Sequence, residues 1–186
     1  LFINMNGFLL IDKPTGVTSA NCVYQLRKIL GIKKIGHCGT LDPLATGLLP
    51  VCIGEATKFS SFLSDLDKTY EVDISFGLET DTGDIEGEII SKSINNFSEI
   101  DLRKVLKSFE GLQTQTPPMY SALKNKGKPL YWWARKGVFL FRKERNITIH
   151  KIELMEFKNK LAKLKVSCTK GTYIRSLAES VGRALL

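Results

Sequence analysis

The sequence predicts an α+β fold, a mixed and mostly antiparallel sheet flanked by helices. Three observations carry this expectation. In TYEVDISFG (69–77), Tyr70, Val72, Ile74 and Phe76 alternate with Glu71, Asp73 and Ser75, the period of a strand with one apolar and one wet face. NITIHKIELMEF (146–157) and KLAKLKVSCT (160–169) read as a hairpin across Lys158-Asn159, the second strand alternating Ala162, Leu164, Val166 and Cys168 with Lys163, Lys165 and Ser167. Helical stripes are interspersed among the strands without a regular strand–helix alternation, which favours α+β over a parallel α/β sheet.

In chain order, GFLLID (7–12) is expected to be a short buried strand. SANCVYQLRKILG (19–31) is a helix with Ser19 as N-cap, a stripe of Val23, Leu26, Ile29 and Leu30, and Gly31 as its stop. A loop at 36–47 leads to a strand, LLPVCI (48–53), and a second helix, EATKFSSFLSDL (55–66). LETDTGDIEG (78–87) reads as an acidic turn region, foremost a solvated loop between strands, with a structural role for an isolated acid as the alternative, and SEIDLRKVLKSFEG (98–111) as a helix capped by Ser98 and ended by Gly111. Residues 114–146 mix prolines, glycines, aromatics and bases without a sustained period and are expected to be an insertion. A last helix begins near Thr172.

The 186 residues, 43% hydrophobic and 25% charged, suit one globular domain carrying that insertion. No apolar run approaches the roughly 20 residues of a membrane span. The opening LFINMNGFLLIDKP lacks the basic region and cleavage site of a secretory signal, and Met5 is the expected natural start. A cytoplasmic protein is therefore expected. Its four cysteines (22, 38, 52, 168) show no CxxC spacing, which favours reduced, buried thiols over disulfides or a zinc site.

The net charge of +8 is unevenly spread. Residues 124–145 carry eight bases against one acid, while residues 65–88 carry nine acids against one lysine. Charge on its own leaves two readings level, a surface for a polyanion and a merely solvated basic face.

The loop GHCGTLDPLATG (36–47) holds three glycines, two threonines and one proline around a single carboxylate, Asp42. Pro43 biases the backbone of Asp42 towards extended geometry, and the glycines permit close approach of another backbone. From these residues alone, a turn-forming or helix-capping Asp42 stands beside a functional one. His37 and Cys38 are adjacent, but nucleophile and base normally meet in space from distant positions, so a Cys–His enzyme is the weaker reading. Neither GxxxxGK[ST] nor GxGxxG occurs, which removes the common phosphate loops.

GHCGTLDPLATGLLPVCIGEATKF (36–59) closely resembles the central motif of the TruB family, bacterial pseudouridine synthases acting on position 55 of the tRNA T-loop. LLIDKPTGVTS (9–19) is similar to its amino-terminal KP motif, DKTYEV (67–72) to its tyrosine motif, and SCTKGTYIRSLAESVG (167–182) to its arginine motif. PPMYSALKNKGKPLYWWARKG (117–137) resembles its thumb-like insertion. The five segments lie in the family's order and span nearly the whole chain.

The resemblance implies the pseudouridine synthase fold with an RNA-binding thumb, and an isomerase that flips uridine out of the T-loop. The chemistry is redox-neutral and implies neither cofactor nor metal. Asp42 becomes the essential aspartate, Arg175 its charge partner, and Tyr70 the residue against the target base and a candidate for removing the C5 proton. Tyr173 resembles a second pocket tyrosine, His37 the ring that fills the space left by the flipped base, and Lys13 a support of the pocket floor. Lys124, Lys126, Lys128, Arg135 and Lys136 are candidate phosphate contacts, with Tyr131, Trp132 and Trp133 as stacking candidates, although at least one Trp is expected to pack inward. The acidic segment 65–88 is expected to face away from RNA. The implied partner is the T-arm of tRNA, with no membrane and no obligate protein partner, for a monomeric enzyme. The family pattern continues beyond VGRALL with a pocket leucine, more sheet and often a carboxy-terminal PUA-type domain, so residues 1–186 correspond to a catalytic domain incomplete at that end. The competing reading is a non-catalytic tRNA-binding or folding module using the same basic surface.

Overall fold

Gly7–Lys13 form β1, Ser19–Leu30 the helix α1, Ile35–His37 β2 and Gly47–Ile53 β3. The strands join in the order β1–β3–β2, each pair antiparallel. They belong to a computed structural model that describes residues 5–185 and divides into two units, 1–66 and 67–186. Residues 1–4, expected to precede the natural start, lie outside the described residues, as does residue 186.

In the first unit, α1 covers one face of the sheet, burying Cys22 and Val23 with Ile35, Leu49, Val51 and Ile53. Two expectations change. The cap of α1 is Thr18, whose hydroxyl accepts from the Asn21 amide, while Ser19 is the first helical residue and fully buried. β1 is only half-buried, because Phe8 and Leu10 point to the face opposite α1 and are exposed. The predicted second helix is also broken, into a 3₁₀ segment (Gly54–Phe59) and a short α2 (Ser60–Ser64).

The second unit contains β4 (Lys68–Ser75), β5 (Leu78–Thr80), β6 (Ile89–Lys92), α3 (Glu99–Ser108), β7 (Gly111–Gln115), β8 (Lys124–Asn125), β9 (Lys128–Pro129), α4 (Leu130–Ala134), β10 (Arg145–Lys158), β11 (Leu161–Cys168) and α5 (Ile174–Leu185). The main sheet runs β4–β11–β10–β7, and every pairing among the described residues is antiparallel. The sequence alternation decides its faces. Ile74, Ala162, Leu164, Val166 and Cys168 meet Leu102 and Leu106 of α3 and Leu177 and Val181 of α5 in one core. Cross-strand Lys165↔Glu71 and Lys163↔Asp73 put opposite charges on the other face.

Ser98 caps α3 as expected and forms a capping box with Asp101, but the helix ends at Phe109, and Gly111 opens β7 instead. The β10–β11 hairpin turns one residue later than predicted. Lys158 pairs with Leu161, leaving Asn159 and Lys160 as a two-residue loop, both with positive φ (51° and 63°). Two left-handed residues suit the right-handed twist of a hairpin, which is why the tighter turn wins.

Candidate active site and nucleic-acid surface

In the first unit the loop carrying Asp42 is held from below by the KP motif. Lys13 is 0% exposed, and its ammonium donates to the carbonyls of Pro14 (2.8 Å), Val17 (2.7 Å) and Pro43 (3.1 Å). The Gly16 amide also donates to the Pro43 carbonyl, and the Thr15 hydroxyl to that of Leu44. Ser19 closes the other side: its Oγ accepts from the Leu41 amide at 3.0 Å and donates to the Leu41 carbonyl at 3.2 Å. Asp42 itself opens a turn closed by the Ala45 amide on its carbonyl, with Pro43 in the second position. The turn reading and the functional reading of Asp42 are thus compatible. Gly39 and Gly47 bracket the loop at φ of 137° and 108°, which a side chain rarely adopts.

His37 donates Nδ1–H to the Gly39 carbonyl, which orients the ring and leaves its Nε2 edge for other contacts. Cys38 turns into a small core with Cys52 and Ala56, its sulfur 3.0 Å from that of Cys52. Fully buried there, the thiol is a packing group, and the Cys–His reading loses its nucleophile.

In the second unit Arg175 stands in the first turn of α5, where an unpartnered cation would oppose the helix dipole. Its Nη1 donates to the Thr82 carbonyl (2.9 Å) and its Nη2 to the Tyr120 carbonyl (2.8 Å). The Asp84 carboxylate lies 3.7 Å away, and both side chains are only 13% and 14% exposed. Of the two readings of 78–87, the solvated loop gives way here to the structural acid: the Asp84 carboxylate is part of the arginine's setting. The other oxygen of Asp84 accepts from the Thr82 hydroxyl (2.7 Å) and the Glu86 amide (3.1 Å), so the loop orients the acid before Arg175 uses it. Sequence spacing carries no sign of this, since Thr82 and Arg175 are 93 residues apart. The only hint was a Thr–Gly–Asp cluster able to form side-chain-to-backbone turns.

Gln115 is the other residue that sequence reasoning missed. Buried at the end of β7, it accepts from the Tyr173 amide (2.7 Å) and donates to the Tyr173 carbonyl (3.0 Å), clamping that backbone from both sides. Tyr70 sits half-buried on β4, packed against the main core, as the alternation predicted.

Glu179, one turn along α5 from Arg175, rests on Gly83, where an added Cβ would come within 2.6 Å of its carboxylate. Burial pushes its pKa up from the ordinary 4.5, with Arg183 pulling the other way. The folded state then holds this proton more tightly than the unfolded chain does, so the contribution of Glu179 is most favourable below pH 4.5 and declines as pH rises through its raised pKa. Glu179→Gln is expected to flatten that part of the melting-temperature profile. An unchanged slope in thermal melts across this window would contradict the assignment.

In the insertion, several predicted phosphate contacts are engaged with aromatic rings. Lys136 lies 3.9 Å and Lys128 5.6 Å from the ring centroid of Trp132, and Arg135 lies 5.5 Å from that of Tyr131. Trp133 donates its indole N–H to the Asn125 carbonyl and packs edge-on to Trp132, both rings half-buried within the insertion. Lys124 and Lys126 remain exposed on and beside the β8–β9 hairpin. No group of three His, Cys, Asp or Glu side chains among the described residues is placed to hold a metal ion, and no described helix is long and apolar enough to cross a membrane.

The family described as TruB family pseudouridylate synthase (N terminal domain) matches residues 27–174. The tRNA pseudouridine synthase B of Chromobacterium violaceum is 52% identical over 98% of the chain, and that of Francisella tularensis 50% over 98%. The chain spans 60% and 61% of their respective lengths. Among solved structures, a chain of a Cbf5–Nop10–Gar1 complex superposes with a TM-score of 0.75 at 30% identity, covering 99% of this chain and 45% of that one. Motif, fold and family match agree: the chain belongs to the TruB family of pseudouridine synthases.

Proposed function

We propose that this chain carries the catalytic apparatus for isomerising uridine 55 in the tRNA T-loop to pseudouridine. The observation that carries the reading is the presentation of Asp42: a buried ammonium, a buried hydroxyl and a proline turn hold one carboxylate on a loop that has little core to build. In the reaction the N1–C1′ bond of the nucleotide breaks, the uracil turns, and C5 joins C1′. The C5 proton leaves and N1 regains one, so atoms and electrons balance without an external reductant or oxidant. Asp42 supplies the carboxylate for the first step, at the ring or at the sugar. Tyr70 packs against the base and receives or relays the C5 proton.

A carboxylate that excludes water to meet the base needs a fixed cation to stay ionised, because burial alone raises its pKa. Arg175 is proposed for that role. Its hydrogen bonds to Thr82 and Tyr120 and its proximity to Asp84 prevent the guanidinium from rotating away. Tyr173, held by Gln115, forms part of the pocket wall, and His37 stacks where the flipped base left, recovering part of the few kcal/mol of lost stacking. Lys124, Lys126, Lys128, Arg135 and Lys136 contribute to the field that attracts the RNA backbone. The proposed partner is the T-arm of tRNA, bound by a monomer in the cytoplasm without an obligate protein partner. Mass-spectrometric mapping of pseudouridine in a T-arm stem-loop incubated with the chain tests the proposal. Modification at position 55 is expected, and a stem-loop left unmodified at concentrations where it is bound would overturn it.

A further inference from the structure

The strap that follows α4, VFLFRKER (138–145), closes the basic run of the insertion. It leads from the insertion back into β10 and leaves Phe139 and Phe141 outside, 77% and 90% exposed. Beside Phe141 lies a cleft of about 190 Å³ whose wall includes Lys124, Arg142, Lys143 and Arg145. No ion pair within 4 Å among the described residues engages any of these four cations, and Glu179 acts on Arg142 only at longer range. Arg142 is anchored through one nitrogen to the Pro117 carbonyl (3.2 Å), while its Nε is buried without a hydrogen-bond partner. Arg145 is held in place at the start of β10, over Gly171.

Four like charges around one small cleft repel one another, so the arrangement favours an anion. The volume falls short of the 300 Å³ or more usual for a whole small-molecule ligand and suits a phosphate group. An exposed phenylalanine at the mouth adds what a phosphate site alone has no use for, a free ring face. The contrast with Tyr131 and Trp132 matters, because their rings carry the protein's own cations.

We propose that the 141–145 strap and Lys124 form a nucleotide subsite for an unpaired residue of the bound RNA, its phosphate in the basic cleft and its base stacked on Phe141. The subsite rests on the RNA-modifying function proposed above and is distinct from the place of the target uridine. It also lies at the foot of β7, where Arg145 pairs with Gln115, the residue that clamps Tyr173. A nucleotide seated there therefore braces the strand pair that positions a pocket tyrosine.

The two halves of the subsite have different salt signatures. Affinities of Lys143→Ala, Phe141→Ala, Phe141→Trp and the remote Lys92→Ala are measured by fluorescence anisotropy over a salt series, on a T-arm stem-loop and on a fully paired duplex of the same length. On the stem-loop, Lys143→Ala is expected to lower the slope of log K against log salt by about 0.7–0.9. Phe141→Ala is expected to weaken binding about ten-fold at every salt concentration with the slope unchanged, and Phe141→Trp to restore it. On the duplex Phe141→Ala should have no effect. A slope unaltered by Lys143→Ala, an equal loss from Lys92→Ala, or a Phe141→Ala loss that extends to the duplex would each overturn the subsite while leaving the proposed function standing. Absence of salt-dependent stem-loop binding by the unsubstituted chain would instead remove both.

Discussion

Asp42→Asn is expected to reduce pseudouridine formation by at least about 10³-fold while the protein still binds the T-arm stem-loop. Asparagine retains the size of the side chain and suits the first position of the turn closed by Ala45, so the loop should survive the change. What disappears is the negative charge and its nucleophilic or basic capacity. Single-turnover assays with saturating enzyme separate chemistry from binding. Full activity in the variant would refute the catalytic assignment, and RNA binding with no modification by the unsubstituted chain would favour a tRNA-binding module. The proposed charge partnership has its own signature. Removing the cation in Arg175→Met should lower the single-turnover rate by about 10²-fold while stem-loop binding persists. An unchanged rate would count against the proposed partnership.

Lys13→Met is expected to have the largest effect on stability, about 3 kcal/mol, or a fall in melting temperature of roughly 10 °C. Methionine nearly fills the same volume but donates nothing. The carbonyls of Pro14 and Val17 lose the ammonium that reaches them, and Pro43 keeps only the Gly16 amide. Eliminating the desolvation of a buried ammonium offsets part of this loss, which is why the expected figure lies below the sum of three charged hydrogen bonds. The same variant should lower turnover beyond its effect on folding, since Pro43 adjoins Asp42. A melting temperature within about 2 °C of the unsubstituted chain would show that Lys13 is not the staple of this loop.

Much of the fold was legible because side-chain period is a local property. The alternation of Tyr70, Val72, Ile74 and Phe76, and of Ala162 through Cys168, required one buried and one wet face, and the sheet supplies them. Boundaries were less legible. Thr18 rather than Ser19 caps α1 because the Ser19 hydroxyl is taken by the loop at Leu41, a contact 22 residues away. The acidic turn looked solvated because its composition is that of a surface loop, and nothing local distinguishes an Asp facing water from one facing an arginine.

Residue type and order alone determined the α+β class and the family, and they singled out Asp42 and Arg175 for the proposed roles, since a motif records residue types in a fixed order. The partners of those groups depended on chain folding: Lys13 beneath the loop, Asp84 and Tyr120 around Arg175, Gln115 on Tyr173, and rings that occupy cations assigned to phosphate. The physical reason is that a polar or charged side chain takes its meaning from what stands within a few ångströms of it. For these residues those neighbours come from remote parts of the sequence, brought close only by the packing of sheets and helices.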